Sequence, residues 1–236
     1  MHVSRNVFLV ALAALAGWVD ALSFSQLGQV FTSFQSGNLI FLGLAIDDGD
    51  GQQLVGAAVS LAAFVAGTAI GAYAIGRARV EWPDVRRLMP AFVVQWALLV
   101  AFAVYWQVHG TPASDSGARL VLVALAALAM GNQGAAVLAL RIPGVVTNAM
   151  TATVMLGGVL IGLGAHGERA AGDASPLSAS FVLAVCGSYT VSALAVGAIG
   201  RPDLTCAVPA TVLTLLLVRL AVGSPLGDAA LRRAGG

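Results

Sequence analysis

Apolar stretches of membrane-spanning length recur along the whole chain, and nothing else constrains the fold as much. They cover about residues 6–26, 29–46, 54–76, 89–108, 118–140, 144–164, 177–200 and 205–222. A helix needs about 20 apolar residues to cross the hydrocarbon core of a bilayer, and most of the eight reach that length. The segments at 29–46 and 205–222 are short, which leaves them open to tilted, broken or re-entrant forms. Of the 236 residues, 58% are hydrophobic and 10% charged, against roughly 25% charged in a soluble domain. A water-soluble fold of this size cannot hide so much apolar side chain, whereas a bilayer solvates it. The expected fold is all-α: a polytopic transmembrane bundle of seven or eight apolar segments, one domain over 1–224 with a flexible tail at 225–236.

The connections carry the turn and charge signals: DDGDG at 47–51, RARVEWPDVRR at 77–87, VHGTPASDSG at 108–117, RIPG at 141–144, AHGERAAGDASP at 165–176 and GRPD at 200–203. Gly, Pro and Asp stop helices and accept water, so these are membrane-surface loops. The basic cluster Arg77, Arg79, Arg86 and Arg87 places its loop in the cytoplasm by the positive-inside rule. Eight full crossings would then leave both termini outside, against the sense of Arg5, Arg232 and Arg233. A re-entrant second segment would return the N-terminus to the cytoplasm and reduce the crossings to seven. The first apolar run resembles a secretory signal, but it continues into a polar motif with a counterpart later in the chain, which marks it as mature structure.

Several functions are excluded. A net charge of +1 gives no basic footprint for nucleic acid. All twelve basic residues are Arg. Cys186 and Cys206 fall in or beside apolar runs and read as packing residues rather than a disulfide framework. His2, His109 and His166 lie in tails or loops without a second ligand at metal spacing, so no metal is expected. The chain has no phosphate-cradling Gly-rich loop, HExxH, CxxC or GxSxG. Neither an enzyme, an ATP-driven pump nor a cofactor site is expected.

A weak internal repeat is visible. GWVDALSFSQLGQVFTSFQSGN begins at Gly17, and GNQGAAVLALRIPGVVTNAMTAT begins at Gly131. Thr32 matches Thr147, Ser33 matches Asn148, and Ser36 matches Thr151. The halves would span about 6–108 and 118–222. With four crossings each they would be parallel repeats, and a substrate site between repeats is a recurring transporter design.

Asp20 is the most informative residue. A carboxylate inside an apolar run is costly and points to function by default. It is an exchangeable proton or cation site, or it lies near the membrane surface, or it is held by hydrogen bonds as a structural cap before LSFSQLG. Gln26, Gln29, Thr32, Ser33, Gln35, Ser36 and Asn38 follow it, too many polar groups for a lipid-facing helix. Gly28 and Gly37 allow a break, so the stretch is a loop, a broken helix lining a cavity, or a helix facing its neighbours. Asn132, Gln133, Thr147, Asn148, Thr151 and Thr153 could face it across the bundle. Such neutral donors and acceptors suit a small polar or amphipathic ligand, or plain helix–helix bonding. Gly67-x-x-x-Gly71 and Gly158-x-x-x-Gly162 mark close helix contacts.

The stretch AGWVDALSF…LGQVFTSFQSGNLIFLGLA resembles the opening signature of the YoaK-like bacterial membrane proteins, with Asp20, Gly37 and Asn38 at its most distinctive positions. MGNQGAAVLAL…VVTNAMTATVMLGG resembles their second signature through Gly131, Gln133, Thr147 and Thr151; Ala152 departs from the usual Gly. The resemblance covers most of the chain. It implies a multi-pass protein of the bacterial inner membrane and no particular activity.

These readings converge on a small secondary carrier, with proton-coupled efflux of a small molecule as one form. Its substrate or ion site would draw on Asp20, Gln26, Thr32, Ser33, Gln35, Ser36, Gly37, Asn38, Asn132, Gln133, Thr147, Asn148 and Thr151. Its partners would be the lipid bilayer, a small molecule and protons; a homo-oligomer is compatible. The competing reading is a non-transporting scaffold, sensor or assembly partner.

Overall fold

The computed structural model describes residues 5–76, 85–113, 116–140, 150–165 and 179–222. Among them there are helices and no strands: α1 (Arg5–Gln26), α2 (Gln35–Asp48), α3 (Gly51–Ile75), a 3-10 turn (Val85–Leu88), α4 (Met89–His109), α5 (Gly117–Ala139), α6 (Met150–Ala165), α7 (Ala179–Ile199), α8 (Pro202–Thr205) and α9 (Val208–Val222). Six stretches are long and apolar enough to cross a membrane: α1, α3, α4, α5, α7 and α8–α9 taken together. The second and sixth apolar segments are not among these stretches. The helix of the second has 14 residues, about 21 Å at 1.5 Å per residue, short of a core about 30 Å thick; of the sixth, Met150–Ala165 is helical and 144–149 lie outside the described residues.

Side-chain ties fix how the helices run. Arg119, in the first turn of α5, donates to the carbonyls of Leu27, just past α1, and Gln52, at the start of α3. These three helix ends therefore meet at one end of the bundle. From there α3 and α5 run in parallel, with Gly67 against Leu128 and Gly71 against Asn132. Gln133 reaches Leu12 of α1, so α1 runs against α5. The start of α4 lies beside the end of α5 through Asn132 and Ala91. The far part of α4 meets the α8–α9 region through Gln107 and Asp203, and Trp96 meets Thr214. The order is α1 up, α3 down, α4 up, α5 down, α7 up and α9 down.

Two of the interhelical contacts are very close. A Cβ on Gly17 of α1 would collide with the Tyr189 carbonyl of α7, and a Cβ on Gly131 of α5 would collide with the Phe64 carbonyl of α3. Between the helices lies an apolar core that includes Phe8, Leu12, Phe92, Leu99, Phe102 and Leu122.

α2 does not cross. It joins α3 through Gly49 and Asp50, at the same end of the bundle that α1 reaches, and runs antiparallel to α3 with Asn38 beside Ser60. Ser60 lies about 13 Å in from the start of α3 at 1.5 Å per residue. The chain thus leaves α1, dips back into the bundle and returns as a half-length helix. Asp50 caps α3 by accepting from the Gln52 and Gln53 amides.

Candidate functional site

α1 stops because Gly28 takes a left-handed backbone, φ 81°. The amide of Gln29 then bonds back to the Phe24 carbonyl at 3.1 Å, closing the helix end. Gln29 follows with φ 57°, a left-handed value uncommon for a residue with a side chain. The two turned residues aim Val30–Phe34 back alongside α1. A Cβ on Gly28 would also lie 2.5 Å from the Arg119 guanidinium, so the position is restricted twice.

Non-helical backbone inside a membrane protein must have its polar groups paired locally. Asp20 does this for Thr32 and Ser33. Its Oδ1 accepts the Thr32 amide at 2.8 Å, the Ser33 amide at 2.7 Å and the Thr32 hydroxyl at 3.2 Å. Its Oδ2 accepts the Ser33 hydroxyl, and the Tyr189 hydroxyl of α7 at 2.6 Å. Asp20 is 2% exposed. No Arg lies in bonding contact with it among the described residues; five donors stabilise the carboxylate in place of a counter-ion.

Asn38 does the same for Phe31. Its Oδ1 accepts the Phe31 amide at 3.0 Å and its Nδ2 donates to the Phe31 carbonyl at 2.6 Å. Ser60 of α3 donates to the same carbonyl at 2.6 Å. Gln35 donates to the Thr32 carbonyl at 2.9 Å and accepts from Asn38 at 2.8 Å. Outside this polar knot the Phe31 ring stacks on Phe24 and Phe41.

A second polar cluster lies deeper. Gln95 of α4 donates to Gln133 of α5 at 2.7 Å, and Gln133 donates to the Leu12 carbonyl of α1 at 3.1 Å. Asn132 donates to the Ala91 carbonyl at 2.6 Å. All three side chains are buried, and among the described residues Gln95 Oε1 and Asn132 Oδ1 have no hydrogen-bond partner. Leu12 lies about 12 Å along α1 from Asp20 at 1.5 Å per residue, so the two clusters are separate.

Of the residues expected to form one site, Asp20, Thr32, Ser33, Gln35 and Asn38 come together. Gly37 is packed beneath the Phe31 and Phe34 rings. Gln26 instead lines a cavity of about 250 Å3 with Leu22, Ser25, Val196, Arg201 and Thr205. Ser36 and Thr151 are exposed and belong to neither cluster, a departure from the expected set: each lies on a helix side turned away from the packed neighbours. Asn132 and Gln133 do not face the first patch but bond to α4 and α1. Thr147 and Asn148 lie outside the described residues. Thr153 is buried.

Sequence reading missed Tyr189, Ser60, Arg119 and Gln95. Arg119 and Gln95 had a signal, each being a polar side chain inside an apolar run. Tyr189 and Ser60 had none, since one hydroxyl in a helix rich in Ala and Val is unremarkable until its partner is known. Gly67 and Gly71 do mark a close contact with α5, whereas a Cβ at Gly158 or Gly162 would meet nothing within 4 Å.

Among the described residues, six helical stretches long and apolar enough to cross a membrane, with no strands, define a multi-pass membrane protein of the helical class. Two comparisons place it more closely. The model of the family described as "Protein of unknown function (DUF1275)" matches residues 8–221, and the chain belongs to that family. It is also 29% identical over 155 residues to the UPF0700 transmembrane protein YoaK of Bacillus subtilis (strain 168). That match covers 64% of this chain and 64% of the Bacillus protein, less than two thirds of either. No solved structure matches the chain significantly.

Proposed function

We propose that this protein is a small secondary carrier of the bacterial inner membrane, with Asp20 as its proton site and the re-entrant segment at 28–34 as part of its gate. The observation that carries the reading is the latch itself. A non-helical segment penetrates the bundle and is held by one carboxylate bonded to α7 as well as to the loop. Discontinuous helices that place irregular backbone inside the membrane are how many carriers build their sites.

The carrier would consist of two halves inserted in opposite senses, not the parallel repeats that four crossings each would give. Several features support this. The segments that match in sequence, at Gly17 and Gly131, lie on helices that run in opposite directions. Gly17 makes the close crossing of α1 with α7, and Gly131 makes that of α5 with α3. The helices α2 and α6 each pack on the span that follows them. The positive-inside rule then puts the end holding Arg5 and Arg87 in the cytoplasm, and Asp47, Asp48 and Asp50 on the other side.

A non-transporting module is favoured by one observation: Asp20 is so fully bonded that a structural cap alone accounts for it. Transport assays separate the two. Ligands would first be found by a thermal-shift screen of the purified protein against metabolites and antibiotics. Compounds that raise its melting temperature would then be followed into proteoliposomes under an imposed pH gradient, with a lumenal pH dye. The carrier reading expects compound-dependent proton flux that Asp20→Asn abolishes. Proton flux that survives Asp20→Asn removes the Asp20 role, and no flux with any stabilising compound removes the carrier.

A further inference from the structure

The two oxygens of Asp20 are held by different kinds of donor. Oδ1 has both lone pairs engaged by the Thr32 and Ser33 amides, at 2.8 and 2.7 Å, with the Thr32 hydroxyl added at 3.2 Å. Those N–H groups are fixed by the backbone and cannot turn into acceptors. Among the described residues, Oδ2 is engaged only by hydroxyls, those of Ser33 and Tyr189. A hydroxyl rotates about its C–O bond and carries its own lone pairs, so it can reverse from donor to acceptor without moving its oxygen.

We infer that the proton taken up by Asp20 resides on Oδ2, and that Tyr189 is the positioning residue that converts this uptake into a change at α7. The inference deepens the carrier reading and rests on its assignment of the proton to Asp20. A proton from water bonds to an Oδ2 lone pair and the carboxylate becomes a neutral acid. No covalent bond breaks. Tyr189 reverses to accept the new O–H, while Ser33 keeps donating to the remaining Oδ2 lone pair. Oδ1 keeps both amides, so the loop at 32–33 stays latched while the link between α1 and α7 is rewritten. The mechanical output thus falls on α7 rather than on α2.

No other titratable group competes at this carboxylate among the described residues. On the elements packed against α1, Arg119 of α5 bonds to the carbonyls of Leu27 and Gln52. Arg201 and Asp203 pair at 3.0 Å on the surface. Cys206 donates to the Asp203 carbonyl. Cys186 lies one helical turn before Tyr189 on α7, and Arg219 lies near the far end of α9. Arg5 stands at the opposite end of α1, and Asp47 and Asp48 end α2.

The test is acid-induced infrared difference spectroscopy of the full chain in lipid, with ring-labelled tyrosine. Acidification is expected to bring in a protonated-carboxyl stretch at the strongly hydrogen-bonded end of its range, because Oδ1 keeps its amides. A tyrosine mode should change with the same pH profile. Both changes should vanish in Asp20→Asn, which keeps an acceptor for the amides; the tyrosine change alone should vanish in Tyr189→Phe. A carboxyl band at the free-carbonyl position, a band without the tyrosine change, a band that persists in Asp20→Asn, or no band while the protein stays folded would each overturn the inference. Because the readout needs no substrate, it can succeed where the flux assay fails, and the reverse.

Discussion

The side-chain amide of Asn38 pairs with both backbone groups of Phe31, taking its N–H at 3.0 Å and giving to its carbonyl at 2.6 Å. One side chain thereby does for an isolated residue what a neighbouring strand would do in a sheet. Asn38→Ala should lower the melting temperature in detergent markedly, since each buried group left unpaired costs about 1–3 kcal/mol. Ser36→Ala, two positions away and exposed, should leave it nearly unchanged. Equal melting temperatures for the two variants would refute the pairing.

Asp20 should discriminate between two replacements. Asp20→Ala leaves the amides of Thr32 and Ser33 without their acceptor. Asp20→Asn retains one oxygen for them and offers an NH2 group to hydroxyls that can turn to accept it. The expected order of thermal stability is wild type, then Asn, then Ala, with Ala well below the other two. An Ala variant as stable as the Asn variant would mean that the latch does not hold the loop.

Gly28→Ala meets two obstacles. The left-handed backbone costs a residue with a Cβ about 1–2 kcal/mol, and the new methyl group meets the Arg119 guanidinium. Removing that side chain with Arg119→Ala should reduce the further loss caused by Gly28→Ala, because sites in contact are not additive. Strict additivity in a four-variant thermal-unfolding cycle would show that only the backbone matters. Gly43→Ala, where a Cβ meets nothing within 4 Å, serves as the neutral reference.

Gly17→Leu and Gly131→Leu should each prevent the bundle from closing, since backbone of the facing helix occupies the space. Gly158→Leu and Gly162→Leu should be tolerated. Size-exclusion profiles of the four variants expressed in parallel would decide. Monodisperse Gly17→Leu and Gly131→Leu proteins would contradict the close crossings.

The helical class and the bounds of α1, α3, α4, α5 and α7 were legible in the sequence because lipid exposure writes itself as unbroken apolar runs. The second segment was legible only as a short one open to tilted, broken or re-entrant forms, since Leu39–Ala45 is apolar like a spanning helix and nothing local reveals that Asn38 and Ser60 hold its start inside the bundle. Hydropathy records what a residue faces but not where the chain enters. Asp20 stood out because charge in an apolar run is rare, but a cap before LSFSQLG, not bonds to Thr32 and Ser33, was the structural role its neighbours suggested. Its partner on α7 was invisible, because a bond across 169 positions leaves no local trace. The separation of Asn132 and Gln133 from the first patch also depends on helix direction, which small-residue spacing does not encode.

The spacing of Asp20's partners along the chain has a consequence for synthesis. Four of its five bonds come from residues 12 or 13 positions downstream, so α1 and the turn after it can solvate the buried carboxylate soon after leaving the ribosome. The fifth waits for Tyr189, long after the first hairpin has entered the bilayer. A nascent chain ended before α7 should therefore already shield the carboxylate, and the arrival of the phenol would complete the knot when the last spans are inserted.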